Sequence, residues 1–155
     1  MAAKRIGFVD DDLENFHANV YLKILRGDLK DRGFEVAGCW ALKEKEGREW
    51  AAKNSVPYFA SVEEMNRQVD CYAVLAPSTP ETHLALCQKV FPHGKPTYVD
   101  KTFAPDLKTA EEIFALGDRY GVAMQTTSAL RYTDVQDYVA ANGGREAVRH
   151  MAAWG

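Results

Sequence analysis

Arg5-Ile6-Gly7-Phe8-Val9-Asp10-Asp11-Asp12-Leu13-Glu14-Asn15-Phe16-His17 changes its period halfway along. Arg5 to Val9 is a short apolar run, the pattern of a strand covered on both faces, and it ends in three consecutive carboxylates. Beyond the acids, Phe16, Val20, Ile24 and Leu25 recur at helical spacing until Arg26-Gly27. A strand that passes through a tight polar turn into a helix is the opening of a βαβ unit, and the rest of the chain repeats it.

Gly33 to Trp40 reads as the second strand, followed by a polar helix from Glu44 to Lys53 with Trp50 and Ala51 on its inner side. Val56-Pro57-Tyr58-Phe59 reads as a brief third strand, and Ser61-Val62-Glu63-Glu64 is a capping box that opens a short helix. Cys71 to Ala76 lacks polar alternation, as expected of a central parallel strand. A helix from Pro80 to Phe91 stops at Pro92-His93-Gly94, and strand Pro96 to Val99 leads into Asp100-Lys101-Thr102. Helix Leu107 to Tyr120 closes at Gly121, strand Val122 to Gln125 follows, and helix Thr133 to Ala141 ends before Gly143-Gly144. Strands and helices alternate throughout, and right-handed crossovers then imply an α/β, Rossmann-like, doubly wound parallel sheet of about six strands. Residues 1–143 make up that domain. Residues 144–155 stand apart: Ala147 to Trp154 alternates like a strand, and is either an edge strand or the first strand of a further domain.

Composition agrees with one globular unit, at 155 residues with 46% hydrophobic and 26% charged. A net charge of -3 excludes a mainly electrostatic nucleic-acid binder. No stretch approaches the roughly 18 unbroken apolar residues of a membrane helix, and Ile6 to Val9 is too short for a secretory signal. Cys39, Cys71 and Cys87 are odd in number, lack CxxC spacing and sit among apolar residues, so they read as buried reduced thiols. A cytoplasmic protein is the expectation. No HExxH, P-loop or GxSxG occurs, and no metal-ligand set is expected.

In a doubly wound sheet, ligands bind outside the carboxyl ends of the strands. That selects Val9 to Asn15, Trp40 to Lys43, Ala76 to His83, and Asp100 to Thr102. Two of these, with one later stretch, resemble motifs of the glucose–fructose oxidoreductase/inositol dehydrogenase (Gfo/Idh/MocA) family. Ala76-Pro77-Ser78-Thr79-Pro80-Glu81-Thr82-His83 is similar to its A-T-P-N-x-x-H stretch. Tyr98-Val99-Asp100-Lys101-Thr102 resembles V-x-E-K-P, and Leu130-Arg131-Tyr132 resembles N-x-R-Y. The resemblance covers the family's N-terminal nucleotide-binding half, and Gly144 to Gly155 looks like the crossing into its substrate domain. It implies NAD or NADP as cofactor and hydride transfer between nicotinamide and a sugar, cyclitol or polyol. It also implies assembly as a homo-oligomer through the sheet of the substrate domain. Lys101 takes the place of the lysine that positions or protonates the oxygen at the reacting carbon. Val9, Asp10, Asp11, Asp12, Trp40, Ala41, Ala76, Pro77, Ser78, His83 and Asp100 would line the cofactor cleft, with His83 capping its helix as the simpler role.

The departures are as informative. The family's first turn reads G-x-G-x-x-G, whose glycines let backbone amides approach the pyrophosphate. Here those places hold Asp10, Asp12 and Asn15, and carboxylates would face an anionic ligand. The acid expected after strand two, for the ribose 2′-hydroxyl, is replaced by Trp40-Ala41; Lys43 and Lys45 nearby would suit a 2′-phosphate. Thr102 replaces the proline of E-K-P. Two other readings follow from the acids. One is a non-catalytic relative kept for ligand sensing or assembly. The other is a degenerate receiver domain, whose clustered acids hold Mg²⁺, although no strand end here supplies its phosphate-accepting aspartate. Capping and the helix dipole already account for one or two acids before a helix.

Overall fold

The computed structural model describes residues 3–152. Five parallel strands form one sheet in the order β2-β1-β3-β4-β5, with β1 at Lys4–Asp10, β2 at Phe34–Ala41, β3 at Cys71–Val74, β4 at Thr97–Val99 and β5 at Met124–Gln125. The helices are α1 (Phe16–Arg26), α2 (Glu44–Asn54), α3 (Val62–Asn66), α4 (His83–Val90), α5 (Leu107–Tyr120) and α6 (Asp134–Ala141). The architecture is the expected doubly wound sheet, with its strand order reversing between β1 and β3.

The third candidate strand, Val56 to Phe59, is reduced to one parallel bridge between Tyr58 and Cys39, which leaves five strands in place of about six. Cys39 N donates to Pro57 O and Phe59 N to Cys39 O, but Pro57 has no N–H with which to extend the ladder. Phe59 nonetheless packs closely, because a Cβ on Gly38 would lie 2.4 Å from its ring. Among the described residues, Ala147 to Ala152 pair with no strand, Arg145–Ala147 being a 3-10 turn. Ala153, Trp154 and Gly155 lie outside the described residues.

Successive strand residues feed opposite faces, which is why the strands read as unbroken apolar runs. Phe8, Ala73 and Leu75 pack with Leu13 and Trp50 on one side. Val9, Val74 and Val99 pack with Leu86, Phe91 and Ile113 on the other. The capping signals operate: Asn15 accepts from Ala18 N, Ser61 from Glu64 N and Asp106 from Thr109 N. Cys39 and Cys87 are buried, Cys71 is half-buried, and all three are free thiols. No helix of the described residues is long and apolar enough to cross a membrane.

Register decides where chemistry can occur. Asp10 lies level with Ala41, Val9 with Val74, and Val74 with Val99. The chain segments leaving β1, β2, β3 and β4 therefore emerge along one edge.

Candidate functional site

Asp10 ends β1 and is 1% exposed. Its Oδ1 accepts from Ala76 N at 3.0 Å and from Asp12 N at 3.3 Å, and its Oδ2 from Asn15 Nδ2 at 2.8 Å. Ala76 reaches it because the chain after β3 turns sharply, with φ 44° at this alanine, a conformation that costs a residue with a Cβ roughly 1 kcal/mol. Asn15 is used on both sides of its carboxamide, because Oδ1 accepts from Ala18 N at 2.9 Å while Nδ2 also donates to Asp12 O at 2.6 Å. Asp12 Oδ1 accepts from Glu14 N at 3.0 Å. Lys43 stands opposite, its Nζ 3.3 Å from Asp12 Oδ2 and 3.8 Å from Asp11 Oδ2. The cleft between this turn and the β3 loop has a volume of about 200 Å³ and is lined by Asp10, Asp11, Asp12, Lys43, Ser78 and Thr79 among others.

Burial pushes the Asp10 carboxyl up to about 7, against the pull of its hydrogen bonds from Asn15 and the amides of Asp12 and Ala76. The folded chain therefore binds this proton more tightly than the unfolded chain. The corresponding stability is fully present below the ordinary aspartate range and is lost as pH rises to about 7. Asp10→Asn removes the titration. Its denaturation midpoint should hold level between about pH 5 and 8, whereas the native chain should lose on the order of 3 kcal/mol over that window. Urea titrations of both proteins at several pH values measure this, and parallel pH slopes would contradict it.

A second cluster closes the end of β4. Asp100 is 0% exposed. Its Oδ2 meets His17 Nδ1 in a very short contact. Its Oδ1 accepts from Lys101 N at 2.8 Å, Tyr98 OH at 3.0 Å and Tyr21 OH at 3.3 Å. Burial raises the Tyr21 and Tyr98 phenols above their ordinary range, and the Asp100 charge adds to it, so both hydroxyls stay protonated donors. Lys101 is half-buried at this edge, and its ammonium has no ion-pair or hydrogen-bond partner among the described residues. His17 and Tyr21 stand four residues apart on α1, and Tyr98 and Asp100 two apart along a strand direction, so each pair shares a face. Those spacings were the available signal for His17 and Tyr21, which lie outside the family motifs, and for Tyr98, which the motif includes without a role.

The structure thus sorts the candidate residues. Asp10, Asp11, Asp12, Ala76, Pro77 and Ser78 share the acidic cleft, and Asp100 and Lys101 share the His–Tyr cluster. Val9 and Ala41 are buried in the sheet. Trp40 turns to the opposite side, under the Lys89 ammonium at 5.2 Å. His83 is outside the lining of the acidic cleft, 0% exposed, with Nε2 2.7 Å from Leu75 O and Nδ1 2.9 Å from Phe103 O. Its ring caps no helix; it ties α4 to two loops. Among the described residues no three acidic, histidine or cysteine side chains are arranged to hold a metal ion.

Residues 14–128 match the model of a family described as the oxidoreductase family with an NAD-binding Rossmann fold, GFO_IDH_MocA. No curated protein matches the chain. Among solved structures, a dehydrogenase (MviM) of Clostridium difficile is 22% identical over 90% of this chain and 44% of its own, with a TM-score of 0.71. The WlbA dehydrogenase of Bordetella pertussis, solved with NADH and UDP-GlcNAcA, is 17% identical over 94% and 44%, with a TM-score of 0.75. A UDP-N-acetylglucosamine 3-dehydrogenase of Acidithiobacillus ferrooxidans is 17% identical over 92% and 44%, with a TM-score of 0.71. At these identities the likeness establishes the fold. The chain spans less than half the length of the structures it matches.

Such a domain holds the dinucleotide pyrophosphate on the amides of its first turn. In this chain three of those amides are already engaged: Asp12 N, Glu14 N and Ala18 N donate to the side chains of Asp10, Asp12 and Asn15. As folded, the turn does not fit a pyrophosphate.

Proposed function

This chain belongs to the Gfo/Idh/MocA oxidoreductase family with its NAD-binding Rossmann fold, and on that premise we propose that it is the nucleotide-binding domain of an oxidoreductase acting on a sugar, cyclitol or related polyol. In this reading residues 1–143 are the domain and residues 144–155 lead toward a substrate domain. The observation that carries it is Lys101, whose backbone is fixed on the buried Asp100 while its ammonium is uncommitted at the edge where ligands of this fold bind. An ammonium so placed donates a hydrogen bond and positive charge to a substrate oxygen as negative charge gathers there. Asp100, His17 and Tyr98 act through it by fixing where that lysine starts. The two neighbours whose names mention UDP-sugars support the sugar class. Lys43 pairs with Asp11 and Asp12, and Lys45 lies 3.9 Å from Glu49, so neither lysine is reserved for a 2′-phosphate.

The test is turnover by the full-length protein of a panel of UDP-sugars, free sugars and inositols with NAD⁺ and with NADP⁺. A member of the panel should be oxidised, and Lys101→Met should lower kcat by roughly 10²–10⁴-fold, with a smaller loss for Lys101→Arg. Absence of turnover on every class, or a Lys101→Met variant as active as the native protein, overturns the reading.

A further inference from the structure

The first turn offers an unusual answer to the problem of a helix N-terminus. Amides there need acceptors, and in a dinucleotide-binding turn the ligand phosphates supply them. Glycines at three places leave the room for that approach. This chain fills the same three places with side chains that are themselves the acceptors. Asp10 Oδ1 collects Asp12 N and, from the neighbouring strand end, Ala76 N. Asp12 Oδ1 collects Glu14 N, and Asn15 Oδ1 collects Ala18 N. Asn15 Nδ2 then locks the set by donating 2.8 Å to Asp10 Oδ2.

We propose that Asp10 and Asn15 form a built-in plug that occupies the pyrophosphate seat of this domain, so that a nicotinamide dinucleotide is held only when the plug is displaced. The inference rests on the oxidoreductase reading, since it concerns the cofactor of that same site. A phosphate that approached the closed turn would meet carboxylate and carboxamide oxygens where the amides of Asp12, Glu14 and Ala18 are already taken. The charges that face the seat sharpen the conflict. The turn itself brings Asp11, Asp12 and Glu14, and the loop after β2 brings Lys43, already paired with Asp11 and Asp12. Lys53 of α2 is 3.2 Å from Glu14 and is engaged with it. The loop after β3 contributes the hydroxyls of Ser78 and Thr79, Thr79 Oγ1 donating to Asp11 Oδ2 at 3.4 Å. An anion therefore enters against a net negative wall. Because burial holds the Asp10 carboxyl up to about 7, that wall loses one charge on the acid side of neutrality.

Binding of NADH and of NADPH by calorimetry decides the matter, with the native protein, Asp10→Gly, Asp10→Asn and Asn15→Gly compared at about pH 6 and pH 8, and circular dichroism reporting that each is folded. Asp10→Gly is expected to tighten NADH binding about tenfold or more at the higher pH, and the isosteric Asp10→Asn by a smaller factor in the same direction. The native affinity should weaken several-fold from the lower to the higher pH, and that dependence should vanish in both Asp10 variants. Adenosine, which lacks phosphate, should bind all the proteins alike. Native protein that binds NADH as tightly as the folded Asp10 variants at both pH values overturns the plug and leaves the oxidoreductase reading standing. No binding by any folded variant overturns both.

Discussion

Asp100→Ala should lower the unfolding free energy by about 3–5 kcal/mol, the cost of removing one partner from a buried charged network. The carboxylate is 0% exposed and has donors from three different parts of the chain: His17 and Tyr21 of α1, Tyr98 of β4, and the Lys101 amide. Alanine leaves all of them facing an apolar gap. Asp100→Asn keeps Oδ1 for the amide and the phenols but turns an NH₂ toward His17, so it should lose about half as much. Urea denaturation followed by circular dichroism measures both. A loss below about 1 kcal/mol for the alanine variant would mean that water replaces the carboxylate, and that the cluster is wetter than its burial indicates.

His83→Ala should cost about 3 kcal/mol, combining a cavity with a carbonyl left without its donor. The imidazole is fully buried between Leu75 O and Phe103 O. In either tautomer one ring N–H donates to one of these oxygens. His83→Phe restores the volume without the donor, and the difference between the two variants separates packing from hydrogen bonding. If both variants unfold at the native midpoint, the ring is not a tie between α4 and its loops.

The alternation of apolar strands and capped helices made the fold legible, because each signal is local. Ser61, Asp106 and Asn15 sit where a helix must begin, and β1 and β3 are apolar on both faces because helices cover both. Val56 to Phe59 misled for an equally local reason: its composition suits a strand, but its proline halts the ladder. The acidic turn was visible as a departure from glycine, and its charge conflict with phosphate could be stated. Its interior could not, since the bond from Ala76 to Asp10 joins residues 66 apart in sequence. For His17 only its helical spacing to Tyr21 was legible, its partner lying 83 positions away. Lys101 was located by motif order, whereas the buried network that fixes its backbone needed the folded chain.

The first turn of α1 grips two strand ends at once, through Asn15 to Asp10 on β1 and through His17 to Asp100 after β4. Asn15 is the N-cap and His17 the second residue of the same helix, so the two grips lie two residues apart at its start. Loosening the turn at the acidic cleft is expected to perturb the support of Lys101, and a double-mutant cycle measures that coupling. Thermodynamic linkage makes any such coupling symmetric: the factor by which a ligand at Lys101 changes affinity at the cleft equals the factor a cleft ligand imposes in return. The helix is thus a balance beam between the two halves of the edge, and its two ends should be read together in any double-mutant cycle.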